Sequence, residues 1–290
     1  QDYALYEGCM TMPRTPEPFS DRLHPHIRAW REGCGIVEVA EDEILRARTA
    51  YWALVTCMDR LIGQILEALC ANGLEEDTLI IYTSDHGEQV GEHGLWWKQT
   101  FYEDSARVPA ILSWPGRLPQ GDRCARVCSG LDLNATMLDA LDCPPLPHSR
   151  GRSLLPLLTS PQTAAWEDIA FSEFCLDGAG AGGPTGEEGV VQRMVRRAEW
   201  KLNFYDGQPC QLFNLADDPR ETHDRAADPG CADIRDELTQ LVLDGWDPGT
   251  IRRQMAHRRT DLPILSRWAR HVQPDDTCRW DLRPEMDYLD

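Results

Sequence analysis

No apolar run in this chain approaches the roughly 18 residues that a membrane-spanning helix needs, so none is expected. Nor is any basic block set apart as its own domain: 29 Lys and Arg stand against 48 Asp and Glu, a formal net charge of −19. Phosphate backbones are held by clustered cations, which argues against a nucleic acid as the main partner. The eleven cysteines follow no zinc spacing: Cys124 and Cys128 lie close together with no second pair nearby. A stapled secreted scaffold would be shorter and denser in cysteine. Most of the cysteines are therefore expected to be buried thiols in a reducing, cytoplasmic compartment, with a periplasmic or secreted location as the alternative. An internal repeat is missing too, and so is a basic-then-apolar leader. The chain starts at Gln1 and not at Met, which points to a processed product or a piece of a longer chain.

At 290 residues the chain can form one large domain, or a domain and a subdomain. Residues 1–40 show no period and carry Pro13, Pro16, Pro18 and Pro25, so they read as irregular. A helix is predicted from an N-cap at Asp42 to a stop at Asn72-Gly73, about 42 Å long. Its apolar residues Ile44, Tyr51, Leu54, Val55, Met58, Ile62, Ile65 and Leu69 recur at helical steps, which predicts one buried face. Thr78–Tyr82 and Val108–Trp114 are near-continuous apolar runs, as in strands buried on both faces of a parallel sheet. A helix is predicted over Leu131–Leu141 with Asp132 as its cap. Helix, strand, loop, strand, helix is an α/β layout. Beyond about residue 160, short strands are predicted at 169–174, 189–196, 200–205 and 210–214, forming an antiparallel layer. A glycine-rich loop at Gly178–Gly183 and a helix over 232–243 complete that part. The tail from Trp246 is rich in arginine: six of its Arg fall between Arg252 and Arg270, against one Asp.

The chemistry concentrates after the first predicted strand. In open α/β sheets, ligands sit beyond the carboxyl ends of strands, and Asp85 and His86 stand there. A carboxylate beside an imidazole can bind a divalent cation, although such a pair is often only a turn. A loop bearing Gly87, Gly91 and Gly94 then returns Lys98, whose ammonium could hold an anionic oxygen. Cation and ammonium together would neutralise a tetrahedral oxyanion. A lone lysine is more commonly a solvated surface residue.

The stretch IIYTSDHGEQVGEHGLWWKQTFYEDSARVPAILSWPG, residues 80–116, resembles the sulfatase family of the alkaline phosphatase superfamily. The S-D-H-G, G-E-H-G, Lys98 and R-V-P-x-I…P-G elements fall in that family's order. Gly151-Arg152-Ser153-Leu154 and the R-x-x-x-W-K-L…L-F-x-L-x-x-D-P-x-E-like segment from Arg196 to Glu221 extend the likeness. Gly94–Lys98 and Trp246-Asp247 are most similar to the choline sulfatase and phosphonate monoester hydrolase branch. The resemblance implies an alkaline-phosphatase-like mixed sheet with flanking helices, lacking its N-terminal part, plus a small antiparallel subdomain. On that scheme residues 1–160 belong to the catalytic α/β domain, 161–245 to the subdomain, and 246–290 to an Arg-rich tail that packs on a neighbouring copy.

The resemblance also implies that Asp85 and His86 are metal ligands and that Lys98 contacts the sulfate and the leaving-group oxygen. His93 becomes a candidate substrate contact. Calcium is the first expectation for the metal, manganese or magnesium the next. Trp96 and Trp97 could face a cationic substrate by cation–π attraction, although core packing is the commoner role of tryptophan. The family's paired Asp ligands and its Cys-x-Pro-Ser-Arg motif, whose Cys becomes the formylglycine nucleophile, are not in this sequence. Ser113-Trp114-Pro115-Gly116-Arg117 matches Ser-x-Pro-x-Arg only formally, at the end of a strand, and His24-Pro25-His26 aligns with an ordinary loop. The expected activity is hydrolysis of a small sulfate ester by the full-length protein, with this chain alone inactive. The alternatives are a phosphonate or phosphate monoester hydrolase, or an inactive chain acting as an interaction subunit, and a homo-oligomer is expected.

Overall fold

A computed structural model describes residues 2–15, 23–160, 164–176 and 189–273. The chain divides into two units, residues 1–247 and 248–290. Gly178–Gly183 lies outside the described residues, as does the end of the tail.

The first unit opens with a short 3-10 turn, Tyr3–Leu5, and then helix α1, Pro25–Gly33. This helix was not expected. Pro25 at its first turn fixes φ for helix entry and needs no amide partner there. His24 caps it, Nδ1 accepting from the His26 amide. The His24 and His26 pair is structural: His24 stacks on Tyr205 at 3.9 Å, and its Nε2 lies 2.7 Å from the Pro209 carbonyl.

Helix α2, Glu41–Ala71, runs for 31 residues. Its N-cap is Ala40, and Asp42 sits inside the first turn with Glu41 and Glu43, where acidic side chains favour the helix dipole. The predicted buried face is not buried. Leu54, Val55, Met58 and Ile65 are all more than half exposed, and the buried residues are Arg48, Thr49 and Ala53. The apolar residues do recur at helical steps, but among the described residues of this unit they stay largely in solvent.

Strand β1, Ile80–Thr83, pairs with β2, Ala110–Ser113, in a two-stranded antiparallel sheet. This corrects the expectation of strands buried in a parallel sheet. A parallel return needs a long crossover, usually a helix. Residues 84–109 supply only a glycine loop and the single-turn helix α3, Glu103–Ala106. Tyr82 and Ile111 are exposed, at 41% and 60%. Helix α4, Gly130–Ala140, is capped by Ser129, and Asp132 is its reciprocal partner: Oδ2 accepts from the Ser129 amide at 2.8 Å. The same Asp132 accepts from the Arg152 amide through Oδ1 at 2.8 Å. A Cβ on Gly151 would lie 2.1 Å from the Leu131 carbonyl oxygen, so only glycine fits there. The Gly151–Leu154 motif is thus a seam between α4 and helix α5, Leu155–Thr159.

Strands β3 (Ile169–Leu176), β4 (Val190–Arg197), β5 (Trp200–Tyr205) and β6 (Gln211–Asn214) form an antiparallel sheet in sequence order, as expected. Helix α6, Ala232–Leu243, packs Leu238 and Val242 against β4 and β5. Val195, Leu202, Leu212, Leu238 and Val242 are all fully buried, each worth about 1.5–3 kcal/mol of transfer free energy. A second apolar cluster of Leu23, Ile27, Leu95, Tyr102, Tyr205 and Phe213 ties α1 and the glycine loop to this sheet.

Cysteine burial also departs from expectation. Of the ten cysteines described, only Cys231 is buried, while Cys9, Cys70, Cys124, Cys143 and Cys175 are exposed. Their positions on loops, helix ends and an edge strand explain it. Among the described residues no helix is long and apolar enough to cross a membrane.

The second unit consists, among the described residues, of helix α7, Pro248–Val272. Pro263 interrupts its hydrogen-bond ladder, and Ile264, Leu265 and Trp268 are more than half exposed.

Candidate active site at the end of β1

Asp85 and His86 follow β1 directly. The Asp85 carboxylate is held locally: Oδ1 accepts from the His86 amide at 2.9 Å and from the Ser84 hydroxyl at 3.3 Å. Desolvation pushes this carboxyl up, but the His86 amide, the His86 ring and Ser84 outweigh it and hold it below its ordinary value. His86 Nδ1 lies 2.8 Å from the Gly87 carbonyl oxygen. A carbonyl only accepts, so Nδ1 carries the hydrogen. In the neutral ring the Nε2 lone pair is then the free one. That Nε2 stands 3.3 Å from Asp85 Oδ2. Either a proton on Nε2 or a cation between the two makes that approach favourable. The donor set, one carboxylate oxygen and one imidazole nitrogen, fits calcium, magnesium or manganese. It is a partial set: no group of three or more His, Cys, Asp or Glu converges among the described residues.

The loop after His86 is tightly built. Gly87 donates to the Ser105 carbonyl at 2.8 Å, and a Cβ there would lie 2.0 Å from the Asp104 carbonyl oxygen. Val90, His93 and Trp97 take positive φ, as do Gly91 and Gly94. Glu92 locks the turn, accepting from the Arg14 and Thr15 amides and the Thr15 hydroxyl at 2.8–3.1 Å, with Arg48 of α2 at 3.5 Å. Burial raises the Glu92 carboxyl, yet these donors and Arg48 bring it below its ordinary value.

The loop returns alongside itself. Gln89 donates to the Trp97 carbonyl at 3.0 Å, and the Trp97 amide donates to Glu88 Oε1 at 2.6 Å. Lys98 comes next. Its side chain is exposed, and its carbonyl accepts the Ser105 hydroxyl at 2.5 Å. Ser105 therefore bonds the residue after His86 with its carbonyl and Lys98 with its hydroxyl. Around the tryptophan pair, Leu95 is buried, while Trp97 itself is 45% exposed.

His93 sits deeper. It is 2% exposed, its ring stacked on Tyr102 at 4.2 Å and 7°. Its pKa is pushed down to about 4, chiefly by desolvation. It lines a cavity of about 300 Å³ with Tyr102, Gln211, Glu221, His223 and Asp224.

The sequence reading left Ser105, Glu103, Lys201 and Glu221 without a role. Lys201 and Glu221 lay inside quoted motifs, W-K-L and D-P-R-E, so the signal was present without an assignment. Glu103 and Ser105 carried no signal beyond their place in the stretch that resembles the family.

Two family models match this chain: Sulfatase over residues 11–143, and N-sulphoglucosamine sulphohydrolase, C-terminal, over residues 91–245. The chain belongs to the sulfatase family of the alkaline phosphatase superfamily. It is 30% identical over 233 residues to choline-sulfatase of Rhizobium meliloti, covering 78% of this chain and 42% of that protein. It is 35% identical over 210 residues to arylsulfatase K of Gallus gallus, covering 69% and 37%. Among solved structures, a phosphonate monoester hydrolase from Silicibacter pomeroyi superposes with a TM-score of 0.71 at 25% identity, covering 82% of this chain and 50% of that one. The α/β architecture is thus that of the alkaline-phosphatase-like fold. The chain spans half or less of the length of these relatives.

Proposed function

We propose that this chain supplies part of the metal- and anion-binding site of a hydrolase acting on small sulfate esters. The observation that carries the reading is the shared anchor at Ser105, which sets the Asp85–His86 pair and the Lys98 backbone on one small turn. Asp85 Oδ2 and His86 Nε2 would hold a divalent cation, calcium first, which supplies charge stabilisation to a sulfuryl oxygen when bound. Lys98 extends an ammonium from the same turn toward the ester or leaving-group oxygen, where it offsets developing negative charge. The nucleophile, a formylglycine in the family that the sequence resembles, has no counterpart motif in these 290 residues. The isolated chain is therefore inactive, because removing a nucleophile costs several powers of ten. Turnover of an aryl sulfate by the purified chain, above that of a His86→Ala control, would refute this.

The phosphonate monoester hydrolase likeness favours a second reading, hydrolysis of a phosphonate or phosphate monoester. Sulfate and phosphate esters are both tetrahedral at the reacting centre, and Asp85, His86 and Lys98 serve either. Relative rates on matched sulfate and phosphonate aryl esters, measured on a protein that contains the upstream coding sequence, separate the two. We further propose that α7, with its six arginines, meets the acidic surface of a neighbouring copy.

A further inference from the structure

We propose that the buried cluster of Lys201, Glu103 and Glu221 is a positioning device, holding α3 so that Ser105 keeps Lys98 and the Asp85–His86 turn in register. This rests on the reading of Asp85, His86 and Lys98 given above. The chain has 27 arginines and two lysines, Lys98 and Lys201. One lysine is exposed on the candidate site. The other, on β5, is 0% exposed. Its ammonium stands 3.0 Å from Glu103 Oε1 and 2.8 Å from Glu221 Oε1. A compact three-donor cation fits between two carboxylates arriving from different elements, where a planar guanidinium would need a wider fork.

The connections run outward from that centre. Glu221 Oε2 accepts the Glu103 amide at 2.5 Å, which pins the first residue of α3 by backbone as well as side chain. Glu103 Oε2 takes Arg196 of β4 at 3.0 Å, so both carboxylate oxygens are engaged. Two residues on, Ser105 meets the Gly87 amide with its carbonyl and the Lys98 carbonyl with its hydroxyl. Between them Asp104 presents the carbonyl oxygen against which Gly87 packs too closely for any side chain. The path from Lys201 to the candidate site is thus one side-chain layer, one helical turn and two hydrogen bonds. Glu221 itself takes a positive φ of 54°, a conformation a glutamate adopts only when its surroundings hold it. A stability role alone would not require the cluster to seize the same short turn that carries Ser105.

The two-lysine composition makes the test selective. Protein labelled with ¹⁵N-lysine gives two amide signals, and Lys201→Met leaves only that of Lys98. The main variant is Lys201→Met/Glu103→Gln/Glu221→Gln, which removes all three buried charges together and leaves only Arg196, 30% exposed, without its carboxylate partner. Folding is followed by circular dichroism, and Mn²⁺ binding by electron paramagnetic resonance, with Asp85→Asn as the negative control. The expected result is a folded variant whose Lys98 amide signal is displaced and whose Mn²⁺ affinity falls about 10- to 100-fold, as for other outer-shell supports. A folded variant with an unmoved Lys98 signal and unchanged Mn²⁺ affinity overturns the inference. Should the wild-type chain bind no Mn²⁺, the metal reading fails, and the Lys98 signal in metal-free protein still decides the positioning role. Should the triple variant not fold, Glu221→Gly, which suits the positive φ and removes the acceptor of the Glu103 amide, keeps the Lys201–Glu103 pair, and an unmoved Lys98 signal there is equally fatal.

Discussion

Asp85 and His86 present a carboxylate oxygen and an imidazole nitrogen to one point, a donor pair suited to a divalent cation. Two ligands make a weak site, so Mn²⁺ should bind the isolated chain measurably but loosely. Either Asp85→Asn or His86→Ala should remove that binding, read as full retention of the free Mn²⁺ signal. His93 gives a second prediction. Desolvation, with Lys201 adding to it, holds its pKa at about 4 against the opposite pull of Glu92 and Asp218. In the unfolded chain the ring takes a proton near its ordinary value, about 6.5. Between those values the unfolded state binds more protons, so stability is full above pH 6.5 and falls as the pH drops toward 4. The contribution is at most about 1.4 kcal/mol per pH unit. His26, also pushed down to about 4 by burial and by His24, acts in the same direction. His93→Asn, which tolerates the positive φ, should flatten the dependence of the melting temperature on pH within this window, and an unchanged slope would refute the assignment. At this scale the sequence was informative where chemistry is local. Asp85, His86 and Lys98 could be singled out as candidates because their spacing resembles a known family pattern. Glu103 and Ser105 could not, because their partners lie across chain separations that no periodicity reports.

Elements followed the sequence where one face meets one partner. The four strands of the second sheet and helix α6 came out close to their expected bounds, since turn residues and alternation are local signals. Helix α1 was missed because a proline-rich stretch masked a proline placed at a helix start. The β1–β2 pairing was misread because a continuous apolar run does not distinguish a parallel from an antiparallel neighbour. Close approach between elements was not legible at all. Gly87→Ala should drive a Cβ into the Asp104 carbonyl and force α3 away. We expect a loss of about 1–3 kcal/mol, as for other overpacked positions, with Mn²⁺ binding lost in the folded fraction. Lys201→Met alone leaves Glu221 buried with its charge, where desolvation already raises its carboxyl against the pull of Lys201. Breaking one partner from such a pair costs about 3–5 kcal/mol. Urea denaturation should show that loss for the single variant and a markedly smaller one for the triple variant.

Across the whole molecule, the surface is acidic yet carries long apolar stripes. Leu54, Met58, Leu61 and Ile65 are spaced by three and four along α2 and are 48–67% exposed, with Val55 and Leu66 beside them. β2 adds Ile111 and α4 adds Met137. An exposed apolar stripe such as that of α2 is the kind of surface another polypeptide covers. In isolation the stripe should drive self-association despite the net charge of −19, and it should bind an apolar dye. Replacing Leu54, Met58 and Ile65 together by Glu should reduce dye binding and lower the sedimenting mass. Circular dichroism should stay unchanged, because these side chains are largely in solvent already. Association through α7 would behave differently: it depends on arginines meeting acidic surface, so it should weaken with salt. Deleting residues 248–290 should then reduce the mass at low salt only, whereas the Glu variant should do so at every salt concentration. Equal masses for wild type and the Glu variant across the salt series would show that the α2 stripe is not an association surface.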